Sequence, residues 1–169
     1  IDRHWGEITK IFDEFAEFSG LKVNVSKTFI MPLGQLTVDS LRNEDWFRNN
    51  GTWAGTNIVT KEKYLGVIVG PEATALDSYL KPLEKLNSKI SWWVKQGLSL
   101  MEKVTVWNSY LLPIVGYVDQ VRLQSEEVNR EITRALSSLV RGAGNWIPMC
   151  HLSYLNKMFG FPLDFRSAM

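Results

Sequence analysis

The sequence holds one cysteine, Cys150, and two histidines, His4 and His151, among 169 residues. A single thiol closes no intrachain disulfide, which excludes a disulfide-stapled secreted scaffold. So few and such distant ligands also exclude a Cys/His zinc module, and no metal site is expected in this chain. Neither histidine sits in a nucleophile–base motif; His4 reads as a surface residue and His151 as a helix-start residue. Long apolar runs are missing as well. The longest, YLGVIVG and YLLPIVGYV, fall well short of the roughly 20 residues that span a bilayer, so no membrane span is expected, and IDRHWGEITK is no signal peptide. The implied compartment is intracellular, nucleus or cytoplasm, which leaves the sequons at Asn24 and Asn50 as chance. Excess charge is lacking too: 19 basic against 18 acidic residues give a net charge of +1. Any nucleic-acid surface must therefore come from local segregation of charge. A phosphate-cradling glycine loop is absent, since Gly142-Ala143-Gly144 has no flanking strand or lysine.

What is present is a hydrophobic fraction of 45%, enough core for one domain or two small subdomains. The chain starts at Ile1 and stops at Met169 without a clear cap, which suggests a piece of a longer protein. Trp5, Ile8, Phe12, Phe15 and Phe18 recur at helical spacing before Gly20, predicting an amphipathic helix over about 3–19 with one buried face. The following LKVNV alternates with period two and predicts a strand packed on that helix. From Pro32 to Thr56 loop signals take over, with a turn candidate at Asn49-Asn50-Gly51 flanked by Trp46 and Trp53; a variable, partly ordered insertion is expected over 33–60.

NIVTKEKYLGVIVG, closed by Gly70-Pro71, predicts a strand or hairpin. Leu76, Tyr79, Leu80, Leu83, Leu86, Ile90, Trp93 and Val94 mark a long helix, interrupted or started by Pro82 and ending near Gly97. Ser99 and Glu102 form a capping box for a helix reaching about Tyr117, and Ser125 opens another that stops at Gly142. A last helix is expected over Leu152–Phe159. The order defines an α+β fold, an α+β head leading into a helical tail.

Carboxylates aimed at one point could hold two metal ions for nucleotidyl transfer. The adjacent pairs Asp13-Glu14 and Glu126-Glu127 splay by about 100° on a helix, and Glu44-Asp45 falls in the loop region, so none makes a metal clamp. The basic residues say more. Lys81, Lys85 and Lys89 repeat every fourth residue on the long helix, with Trp92 and Lys95 near its end, a stripe suited to a phosphate backbone. A solvated helix face with Glu84 pairing the lysines has the same spacing.

Three segments in order, FxxFSGLKVNVSKT, KEKYLGVIVGP and SWWVKQGLSLMEKVTVWNSYLLPIVGYV, resemble the C-terminal palm and thumb of reverse transcriptases from non-LTR, LINE-type retrotransposons. The resemblance implies a partial palm at 1–71 (motif D helix and strand, the insertion, motif E hairpin), a helical thumb at 72–142 and a post-thumb helical segment at 143–169. It implies that Lys27 is the motif D lysine, which approaches the incoming nucleotide and protonates the departing pyrophosphate, with Asn24 shaping the turn. Tyr64, Leu65 and Gly66 match the hairpin called the primer grip, and Ser99, Lys103, Ser109, Leu112 and Pro113 match the thumb pattern. The implied nucleic-acid contacts are Tyr64, Gly66, Lys81, Lys85, Lys89, Lys95 and Lys103, with an RNA–DNA hybrid or other primer–template as partner. Trp92, Trp93 and Trp107 are expected in the thumb core.

Two departures qualify the likeness. The F/Y-A-D-D aspartate signature occurs nowhere in the chain, so the segment is expected to bind no cofactor and to be inactive alone, magnesium belonging to the complete polymerase. FGFP also stands where the family carries a glycine pair. A second reading remains open: a non-catalytic, retroelement-derived accessory or structural subunit with protein partners in a larger assembly.

Overall fold

The computed structural model describes residues 2–45, 47, 53, 55–141 and 146–167, with only the backbone of Asp2, Arg3 and Trp5. Trp46, the turn candidate at Asn49-Asn50-Gly51, the sequon at Asn50 and Gly142-Ala143-Gly144 lie outside them. The chain is α+β and helix-rich, and it divides into two compact units: 1–64 with 68–73, and 65–67 with 74–169.

The first unit opens with α1 (Asp2–Ser19). Gly20 ends it at φ 72°, its N–H donating to the carbonyl of Ala16 at 2.9 Å, the left-handed stop that the sequence announces. The apolar stripe of α1 is not buried, contrary to expectation: Ile8, Phe12, Phe15 and Phe18 are 38%, 42%, 52% and 94% exposed. Of that stripe, Phe12 meets Trp53, ring centroids 5.5 Å apart.

LKVNV is not a strand. Val25–Lys27 forms a 3₁₀ turn instead. The Asn24 carbonyl accepts from the Lys27 amide at 3.0 Å and the Thr28 hydroxyl at 2.9 Å, while Ser26 Oγ donates to Asn24 Oδ1 at 2.7 Å. Side chains that bond their own backbone offer it an alternative to a ladder, and here that alternative prevails. Strand pairing moves two residues on: β1 (Phe29–Ile30) runs parallel to β2 (Asn57–Ile58).

The expected insertion carries structure of its own. Helix α2 (Val38–Asn43) is closed by a reciprocal Thr37/Ser40 capping box. Leu41, Phe47 and Ile58 cluster as buried residues, with Ile30 and Val38 against them, and Trp53 is also buried. A stretch read as loop thus supplies much of this unit's core.

β3 (Glu62–Tyr64) and β4 (Val67–Val69) form the expected hairpin. Its two-residue turn has φ 47° at Leu65 and 93° at Gly66, both positive, as a turn matching the twist of the strands requires. At the hairpin's base, Gly70 has φ 136°, and a Cβ there would lie 2.2 Å from the Thr60 carbonyl oxygen.

The second unit is helical. α3 (Ala75–Trp93) starts at a Thr74/Asp77 capping box and passes through Pro82; Val94–Gln96 continues it as a 3₁₀ turn to Gly97 at φ 65°. α4 (Leu100–Val106), with the Ser99/Glu102 capping box in place, runs through a π-turn at Trp107–Leu111 into α5 (Pro113–Asp119). Within the turn the Leu112 amide reaches the Trp107 carbonyl at 2.8 Å. α6 (Glu126–Val140) is capped by Ser125. The N-terminal half of the expected last helix is a 3₁₀ run, Met149–Tyr154, leading into α7 (Leu155–Phe159).

α3 packs against α5 and α6. Tyr79, Leu83, Leu86 and Ile90 of α3, Trp107 and Leu111 of the π-turn, Val115 of α5, and Val128, Ile132 and Leu139 of α6 share one core. Each such side chain stabilises the unit by about 1.5–3 kcal/mol. Leu152, Leu155 and Phe165, from the segment expected to follow the thumb separately, belong to that same core. The segment is tied down at Phe165 by side chains of the π-turn: Asn108 Nδ2 donates to the Asp164 carbonyl at 2.8 Å, Asn108 Oδ1 accepts from the Arg166 amide at 2.9 Å, and Trp107 Nε1 donates to the Arg166 carbonyl at 3.0 Å.

Candidate functional site

Lys27 and Tyr64 belong to the first unit; Gly66 and the lysines at 81, 85, 89, 95 and 103 belong to the second. Lys27 is the last residue of its 3₁₀ turn and exposed, so its ammonium is offered to solvent on a bend fixed by the Asn24 bonds. The Asn24 side chain makes no capping bond to the turn's backbone; its Oδ1 accepts from Ser26 Oγ, and the Asn24 carbonyl accepts the bonds that close the turn.

Tyr64 ends β3 and is 66% exposed, with Leu65 at 73% beside it on the turn. Leu65 is the one non-glycine residue with positive φ among the described residues. A branched side chain in that region costs about 1–3 kcal/mol unless its surroundings hold it. Tyr117 of α5 supplies such a hold, its hydroxyl donating to the Leu65 carbonyl at 2.5 Å. Gly66 makes the approach of that ring possible: a Cβ on it would lie 3.2 Å from Tyr117 Cε1. Nothing in the sequence spacing joins residues 65 and 117, and this anchor emerges only from the fold.

Lys81, Lys85 and Lys89 are all exposed along α3, opposite the arc of Tyr79, Leu83, Leu86 and Ile90 that faces the core. Four residues advance a helix by about 6 Å, so the three ammonium groups form an evenly spaced line. Among the described residues none of them makes an ion pair, and Glu84 pairs with neither neighbour. Lys95 is exposed in the following turn; Lys103, on α4, is half-buried.

The three tryptophans separate. Trp107 is 1% exposed and Trp93 is partly buried against the core, but Trp92 is 55% exposed. Trp92 follows Lys81 by eleven residues, about 20° around the helical wheel, which places it in the lysine line and off the core arc. That count was available from the sequence and corrects the expectation of a core position. Trp92 meets Trp93 edge-on with centroids 4.7 Å apart, and Trp93 lies 6.1 Å from Tyr110, itself 63% exposed. The lysine line therefore ends at an aromatic cluster.

His4 is exposed, 3.5 Å from Glu7, and Cys150 is a free, exposed thiol. Among the described residues, no three His, Cys, Asp or Glu side chains gather as a metal-holding group, and no helix is long and apolar enough to cross a membrane. A hollow of about 290 Å³ in the second unit is lined by Leu100, Trp146, Ile147, Leu155, Phe159 and Phe161, apolar side chains without a polar group to orient a ligand. The chain matches no family model, no curated protein and no solved structure.

Proposed function

We propose that this chain is the C-terminal palm and thumb part of an RNA-directed DNA polymerase, of the LINE-type reverse transcriptase kind, and that it grips a primer–template. The observation that carries the reading is the order of the three matched segments along one chain. Two structural features support it. The segment matched to the primer grip forms a tight hairpin with Tyr64 and Leu65 exposed at its end. The helix that leads into the third matched segment presents to solvent lysines that make no ion pair among the described residues.

In this reading Lys27 approaches the phosphates of the incoming nucleotide, and its ammonium gives a proton to the leaving pyrophosphate. Magnesium would spread the charge of the phosphates in the complete polymerase, on carboxylates supplied from outside the described residues.

The test is binding of the chain to an RNA–DNA hybrid duplex. Four phosphate contacts, by Lys81, Lys85, Lys89 and Lys95, predict a slope near −3.6 for log affinity against log salt, or about 150-fold weaker binding at 200 mM than at 50 mM salt. A folded sample with no salt-sensitive binding refutes the reading. The accessory-subunit alternative is favoured by one observation, the uncovered apolar stripe of α1, which suits a protein neighbour. Its signature would be a stable protein complex that Phe15→Asp and Phe18→Asp abolish, in a chain that binds no hybrid.

A further inference from the structure

The lysine line and the aromatic cluster lie end to end on one outer face of the second unit. Lys81, Lys85 and Lys89 advance along α3 by equal steps, Trp92 continues the same line one turn after Lys89, and Trp93 and Tyr110 lie beside it. A regular row of cations that make no ion pair among the described residues follows a repeating anion better than scattered carboxylates. Exposed rings at its end offer a flat apolar surface in contact with water. Phosphates at regular intervals with flat bases between them are the chemistry of a nucleic-acid strand. A base can lie flat on Trp92 only when it is free of a complementary partner in a continuing stack. These two ingredients, a cationic track and a stacking ring, are those of surfaces that hold single strands.

We infer that the outer face of α3 binds an unpaired nucleic-acid strand, its phosphates along Lys81, Lys85 and Lys89 and one of its bases stacked on Trp92. The inference deepens the proposed function and rests on it for the class of ligand. It adds that this face takes the single-stranded part of a primer–template, and it assigns the stacking residue.

The experiment measures binding of the 169-residue chain to fluorescein-labelled oligo(dT) and oligo(rU) by anisotropy across a salt series, with an RNA–DNA hybrid and a poly-glutamate peptide as further arms. Replacing Lys81, Lys85 and Lys89 together by alanine is expected to reduce the steepness of log affinity against log salt by about 2, three contacts at about 0.7 each for a single strand. Trp92→Ala is expected to weaken single-strand binding about tenfold with the salt slope unchanged, and Trp92→Phe to restore most of the loss. Circular dichroism confirms that each variant is folded, as the exposure of these side chains predicts.

Trp92→Ala binding within twofold of the parent, or Trp92→Phe as weak as Trp92→Ala, overturns the stacking assignment. A hybrid that binds with steep salt dependence while Trp92→Ala changes nothing overturns the unpaired-strand inference and leaves the primer–template reading standing. Single-strand binding with the expected losses, without hybrid binding, does the reverse. Poly-glutamate binding with the same losses in the same variants would assign the face to an acidic protein segment and overturn the inference.

Discussion

Asn108→Ala tests how the C-terminal segment is held to the helical unit. Asn108 bonds that segment's backbone from both sides, accepting from Arg166 N–H and donating to the Asp164 carbonyl. Alanine leaves both backbone groups without those partners, and a net loss of about 1 kcal/mol for each gives about 2 kcal/mol in all. The loss falls on one local contact, so it acts first on detachment of residues 163–167 and only then on global unfolding. An opening equilibrium shifted by about 2 kcal/mol rises about 30-fold. The reporter is the amide of Phe165, because its acceptor, the Leu152 carbonyl at 3.1 Å, is untouched by the substitution. Native-state hydrogen exchange should therefore show that amide exchanging about 30-fold faster in the variant, with amides in the middle of α6 changed much less. An unchanged Phe165 rate would show that Phe165 burial alone holds the segment and would refute the reasoning. Equal acceleration throughout the second unit would refute the local picture in favour of a single cooperative unit.

Two further perturbations address each unit in turn. Gly70→Ala sets a Cβ 2.2 Å from the Thr60 oxygen and 2.7 Å from Lys61 Cα, both backbone atoms, at φ 136°; a loss of about 3 kcal/mol or more is expected in denaturant titration of the first unit. Gly6→Ala, within α1 and with nothing within 4 Å of the new methyl, is the control and should gain up to about 1 kcal/mol. In the second unit Tyr79 is fully buried, its hydroxyl donating to Asp119 Oδ1 at 2.6 Å. Burial first, and then the Asp119 hydrogen bond and charge, push its pKa well above that of a free tyrosine. The folded state holds this proton more tightly than the unfolded one, so the stabilisation is complete below about pH 10 and is lost as pH rises beyond it. Tyr79→Phe should cost about 2 kcal/mol at neutral pH, and the gap to the parent in urea titrations should narrow above about pH 10; a gap constant with pH would exclude the coupling.

Most helices were legible because their signals are local. The Ser99/Glu102 box and the Ser125 cap act within one turn, and a glycine past the last turn stops α1 at Gly20 and α7 at Gly160 whatever packs nearby. The hairpin was legible as a β-branched run closed by Gly70-Pro71, but its turn sets Leu65 at positive φ, and the Tyr117 hydroxyl bonds the Leu65 carbonyl from far along the chain. The candidate site was legible in part: the spacing of Lys81, Lys85 and Lys89 already places them on one face, and Trp92 belongs to that face by the same count.

What needed tertiary structure is whatever depends on partners distant in the chain. LKVNV alternates like a strand, but a strand exists only where another edge pairs with it. The local bonds of Asn24, Ser26 and Thr28 bend it into a turn, and the pairing appears at Phe29–Ile30 with Asn57–Ile58. The core role of Leu41, Phe47 and Trp53 was hidden because their apolar contacts span irregular chain, where no periodicity reports burial. Tyr117 on Leu65 and Asn108 on the backbone of 164–166 join positions more than 50 residues apart. Short-range pattern therefore determined which segments are helical and which faces are charged. Only the folded chain decided which apolar faces are covered, because burial is a property of pairs of surfaces and each sequence segment records only one of them.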